Sequence, residues 1–140
     1  MVETKVNWIG GMQFIGRTAS GHALVMDTSS KFGGENTAPA PMELLLAALG
    51  GCTGMDVVSI LQKMKVGFES LEIKISGERA AEHPRVYKTI YLVYKVKGRN
   101  LAEEKVKRIV ELSQEKYCSI SKMLKPTAEI TYTIEVEQTT

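Results

Sequence analysis

The sequence predicts an α+β fold of the order β-β-β-α-β-β-α-β built round a buried central helix. Three observations predict it. A long apolar segment, Pro39 to Lys65, occupies the middle of the 140-residue chain. Alternation of apolar and polar residues, the period of a half-buried strand, recurs before and after it. A second, amphipathic helical pattern precedes the last alternating stretch. The length suits one domain, residues 1–140, and no repeat, linker or low-complexity tract divides it.

In chain order, Val2, Thr4, Val6 and Trp8 alternate with Glu3, Lys5 and Asn7 as a first strand. Gly10-Gly11 supplies a tight turn, Met12 to Ala19 a second strand, and Ser20-Gly21 the turn before a third, His22 to Asp27. Such a meander needs an apolar surface to lie on, either the central helix or a second copy of the chain. Thr28 to Ala40 reads as a loop, rich in Gly, Ser, Asn and Pro, that leads into the central helix and could fold Lys31, Phe32 or Glu35 over a site there.

The central segment reads as a helix because Pro41 suits a first turn, Glu43 complements the positive N-terminal end, and Leu, Ala and Met dominate the later turns. Apolar residues cover nearly every face from Leu44 to Leu49, so it is expected to be buried. The uninterrupted apolar run falls short of the roughly 20 residues of a membrane span. Gly50 and Gly51 each cost about 1 kcal/mol relative to Ala in a helix. Two compatible readings account for them: close packing of another backbone, and a break or kink that puts Cys52 near the start of a second piece, Thr53 to Met64, whose N–H groups would favour a thiolate.

Leu71, Ile73 and Ile75 alternate with charged residues, and Val86 to Lys97 forms a longer strand antiparallel to them. Asn100 and Glu103 have the spacing of a capping box. Ala102, Val106, Ile109, Val110, Ser113 and Tyr117 then share one helical face, in a helix expected to run to about Lys116. Cys118 follows it, Ser119 to Leu124 can add a short helix before Pro126, and Ala128 to Val136 alternates as a last strand.

The net charge of +2 and the lack of a basic cluster interleaved with aromatics give no reason to expect nucleic acid. The N-terminus shows no signal-peptide pattern, so a cytoplasmic location is expected. Two cysteines in a reducing compartment read as free thiols, catalytic thiols or a switchable pair, and without further function either is a small buried hydrophobe. The scattered Cys and His residues lack zinc-site spacing, so no metal is expected. No C-x-x-C pair supports a general disulfide oxidoreductase. Glu43 precedes Cys52 by nine residues, about two and a half turns, which in an unbroken helix puts the two on opposed faces.

PMELLLAALGGCTGMDVVSIL, followed much later by EKYCSISKML, resembles the OsmC/Ohr family of osmotically inducible and organic hydroperoxide resistance proteins. The order of elements matches too, so the resemblance covers essentially the whole chain. It implies a thiol peroxidase that uses no metal, haem or flavin. Cys52 would attack an organic hydroperoxide and become a sulfenic acid; Cys118 would resolve it as a disulfide; an external dithiol, lipoyl-type or other, would reduce the pair. It further implies an intertwined homodimer whose two chains build each site, with Glu43 as the family's acid. The arginine that partners this acid would be Arg17, from an early strand; the alternative position, in the loop before the helix, holds Lys31 instead. Lysine supplies a point charge but no planar fork for a carboxylate, which suggests a less-studied branch. An alternative on the same fold is a redox-sensing or small-ligand-binding module with little peroxidase activity.

Overall fold

A computed structural model describes residues 1–140, which form two compact units, Met1–Leu45 and Leu46–Thr140. The first unit holds β1 (Thr4–Gly10), β2 (Gln13–Thr18) and β3 (Ala23–Met26). They form an antiparallel meander in which Trp8 faces Phe14 and Phe14 faces Met26. Its first turn uses Gly10 and Gly11, whose φ values of 115° and 54° lie where L side chains are strained. Only Gly16 and Asp27 are buried in this unit, while Val6, Trp8, Phe14 and Val25 stay exposed. The meander therefore has no hydrophobic core of its own.

After β3 the loop winds round Asp27. One carboxylate oxygen accepts the Thr28 N–H at 2.7 Å; the other accepts the Thr37 N–H at 3.0 Å, the Thr37 hydroxyl at 2.6 Å and the Glu35 N–H at 3.3 Å. These bonds, the Thr37 hydroxyl foremost, hold the Asp27 carboxyl down at about 2. The loop also contains a single 3₁₀ turn, Ser30–Phe32.

The central helix, α1 (Pro41–Lys63), begins in the first unit and continues into the second. It passes through Gly50 and Gly51 without interruption, so of the two readings of these glycines the break with a second start at Thr53 is not realised. Packing accounts for Gly50: a Cβ there would come within 2.5 Å of Ile75 Cδ1 on β4 (Ser70–Arg79), whereas one on Gly51 would meet nothing. A second difference concerns burial. Only the stripe Leu49, Thr53, Val57, Leu61 is fully buried, not the whole helix, because the single chain covers one face and leaves residues such as Met55 open. By length and composition α1 is also apolar enough to cross a membrane, so length alone does not dismiss a span. Its side chains instead meet those of β4 and β5 (Tyr87–Gly98), as in a core helix.

In the second unit the sheet order is β4-β5-β6, with β5 in the middle. β5 runs antiparallel to β4 and parallel to β6 (Glu129–Gln138). A parallel return requires a crossover, and the helical part of the chain between β5 and β6 provides it. Ile90, Leu92, Tyr94 and Val96 alternate on the buried face of β5, and Leu49, Val57 and Leu61 of α1 and Val106, Ile109 and Val110 of α2 (Glu103–Leu112) are buried with them. Each such side chain contributes roughly 1.5–3 kcal/mol when buried.

The crossover departs from the expected single helix. Asn100 is not the cap: it sits in a left-handed turn at φ 52°, and Ala102 precedes the first helical residue, with Glu103 and Glu104 supplying the acidic first turn. The α-helix ends at Leu112 instead of near Lys116, and the chain widens into a π-turn, Ser113–Tyr117. There the Cys118 N–H reaches back to the Ser113 carbonyl at 2.7 Å. The short helix α3 (Ser119–Leu124) comes next, as the sequence suggested.

Candidate active site

Cys52 sits in mid-α1, half-buried, one residue before the buried Thr53. Cys118 is buried at the junction of the π-turn and α3, where its sulfur caps the short helix by accepting the Ser121 N–H at 3.4 Å. Both thiols are free, and Cys52 is near enough to Cys118 to push its thiol up. Burial pushes the Cys118 thiol up, the Ser121 hydrogen bonds pull it partly back, and the Cys52 sulfur pushes it up again.

A chain of buried hydrogen bonds surrounds the pair. Gln114 Nε2 donates to Tyr94 Oη at 2.6 Å; Tyr94 Oη and Thr53 Oγ1 are 2.7 Å apart, and so are Thr53 Oγ1 and Ser113 Oγ; Ser113 donates to Asp56 Oδ2 at 2.9 Å. The amide at one end can only donate and an ionised carboxylate at the other can only accept. The hydroxyl protons between them therefore all point toward Asp56. At the amide end, the Ser121 hydroxyl donates to Gln114 Oε1 at 3.1 Å, which brings the chain back to the residue that caps Cys118. No buried side-chain nitrogen or oxygen is left without a partner. Burial raises the Tyr94 phenol, and its bonds to Thr53 and Gln114 oppose the rise. Tyr132 packs edge-on against its ring at 6.0 Å.

The other residues singled out in the sequence lie in the Met1–Leu45 unit. Glu43 is in the first turn of α1, where its carboxylate accepts the Ala40 N–H at 3.0 Å. Arg17 is exposed on β2, opposite Lys5 and Ala23. Lys31 lies 5.7 Å from the centroid of the Phe32 ring. No cluster of three or more His, Cys, Asp or Glu residues suited to a metal is present. Sequence reasoning missed Thr53, Asp56, Gln114 and Ser121 as site residues. A polar side chain on an otherwise apolar stripe was the signal for Thr53; Gln114 had none, because the π-turn shifts it onto the core side.

This chain belongs to the family of OsmC-like proteins, whose pattern it matches over residues 34–133. It is 44% identical over 135 residues to Protein YhfA of Escherichia coli, covering 96% of this chain and 98% of that one. Among solved structures, a hypothetical protein from Aquifex aeolicus superposes with a TM-score of 0.80 at 31% identity, covering 98% of each chain. The organic hydroperoxide resistance protein OsmC of Legionella pneumophila shares the fold, with a TM-score of 0.74 and 18% identity over 96% of each chain.

Proposed function

We propose that the protein is a two-cysteine thiol peroxidase that reduces organic hydroperoxides in a reducing, cytoplasmic setting. What supports this reading is the nearness of the free Cys52 to Cys118, with Cys52 half-buried and the Cys118 thiol buried and pushed up. In the first step the Cys52 thiolate attacks the distal peroxide oxygen; the O–O bond breaks, the alkoxide takes a proton and leaves as an alcohol, and Cys52 becomes a sulfenic acid. In the second, Cys118 attacks that sulfur, the S–S bond forms and water departs. An external dithiol then reduces the disulfide by exchange and is itself oxidised. The residues require no metal or organic cofactor for these steps. Glu43 and Arg17 enter as the acid and cation beside Cys52 on the family resemblance alone.

A homodimer is part of this reading. The half-open face of α1 and β4, with Gly50, Gly51, Gly54, Met55, Ile73 and Ile75, lines an apolar groove of about 880 Å³ that a second copy would cover. The test is consumption of cumene hydroperoxide with dihydrolipoamide as reductant. Cys52→Ser is expected to abolish turnover, and Cys118→Ser to leave one equivalent of sulfenic acid per chain but little cycling. Full turnover by Cys52→Ser would remove the proposal. The competing reading, a ligand-binding module, draws on the same groove and predicts no turnover by the intact protein together with a small apolar molecule retained through purification.

A further inference from the structure

We propose that Gln114 is a positioning residue for the Cys118 thiol, acting through Ser121. This rests on the reading of Cys118 as the resolving thiol. Gln114 is only 4% exposed, and its carboxamide is fully committed: Nε2 to Tyr94 Oη at 2.6 Å and to Thr53 Oγ1 at 3.5 Å, Oε1 to the Ser121 hydroxyl at 3.1 Å. Its backbone carbonyl accepts the Lys125 ammonium at 2.6 Å. One residue thus ties β5, α1 and both ends of α3 together beside the buried sulfur.

Ser121 is the link. Its N–H is on Cys118 Sγ at 3.4 Å, and its hydroxyl is on Gln114 Oε1 at 3.1 Å. When Cys118 ionises to attack the sulfenic acid, that N–H already faces the sulfur and strengthens as a charge-assisted hydrogen bond. Gln114, through the Ser121 oxygen, holds Ser121 in the place from which it donates. The π-turn makes the arrangement available, since its extra residue brings Gln114 beside Ser113 on the buried side. The titratable and charged groups round Cys118 are Cys52 on α1, Tyr94 on β5 with Tyr132 of β6 behind it, Asp56 reached through Ser113, and Lys125 after α3.

The experiment measures closure of the Cys52–Cys118 disulfide by diamide. The diazene takes two electrons and two protons from the thiols and becomes the hydrazine, so closure needs no peroxidase chemistry. Gln114→Leu and Ser121→Ala are each expected to slow closure about tenfold, a loss typical of misplaced reacting groups. The double variant should be no slower than either, because both act on one contact. In a Cys52→Ser background, Ser121→Ala and the neutral Gln114→Leu should shift the pH profile of Cys118 alkylation by iodoacetamide upward, which a purely structural role would not do. Closure within twofold of the parent, additive slowing in the double variant, an unmoved alkylation profile, or a parent that diamide does not close would each overturn the assignment. Failure of hydroperoxide turnover with these results intact would instead remove the peroxidase reading and leave the positioning role.

Discussion

Thr53 shows how much rests on a single hydroxyl. It is fully buried and shares hydrogen bonds with Tyr94 and Ser113, so Thr53→Val keeps the volume but leaves those oxygens one partner short. The expected cost is about 1–3 kcal/mol, read as a lower midpoint in urea, without a change in the accessibility of Cys52. Asp27 makes a pH-dependent contribution. Its folded carboxyl sits at about 2 against an ordinary 3.8, so its contribution is complete above 3.8 and is lost as pH falls toward 2. Asp27→Asn should flatten the stability profile over that acid range and speed hydrogen exchange at the Thr28 and Thr37 amides. Residues of this kind were only partly legible in the sequence. The two cysteines stood out by motif, and Ser113 fell on the right helical face, but alternation cannot tell that the hydroxyls of Thr53, Tyr94 and Ser113 meet one another.

Among the elements, α1 carries the sharpest contrast. Gly50 faces the end of Ile75 and Gly51 faces open space, so the same substitution acts unequally at adjacent positions. Gly50→Ala needs only the Cδ1 end of Ile75 to turn aside, a small cost that offsets part of the helix-propensity gain of about 1 kcal/mol. Gly51→Ala in an isolated chain keeps that gain whole. Thermal melts of the two variants test the difference, and equal melting points would contradict it. The six strands and the start of α1 were readable from periodicity and from Pro41. The end of α2 was not, because a π-turn obeys no 3.6-residue pattern and Ser113 to Tyr117 contains no Gly or Pro to mark the change. Asn100 misled for a related reason: it tolerates a left-handed backbone as readily as it caps a helix, and the structure uses the first property.

At the scale of the molecule, the first unit's sheet buries no large apolar side chain, and α1 buries one stripe of four residues. An α+β chain with so much apolar surface open is expected to associate, and sedimentation should give twice the chain mass. Met55, 75% exposed on the groove, is the position to challenge. Met55→Glu should weaken self-association at least about tenfold, equivalent to 1.4 kcal/mol, and a parent that is monomeric at every concentration would contradict the expectation. The sequence resemblance pointed to a dimer, but a single chain's alternation pattern cannot distinguish a face covered by its own helix from one covered by a neighbour.

The parallel return of β6 beside β5 has a mechanical consequence. The span that carries Cys118 is moored to the same sheet at both ends, and Gln138 of β6 grips both backbone groups of Leu101 near its start at 3.0 and 2.6 Å. A sulfur on such a bridge has little slack. In the redox cycle proposed above, side chains rather than backbone would move, and the reduced and oxidised forms should give superimposable small-angle scattering curves.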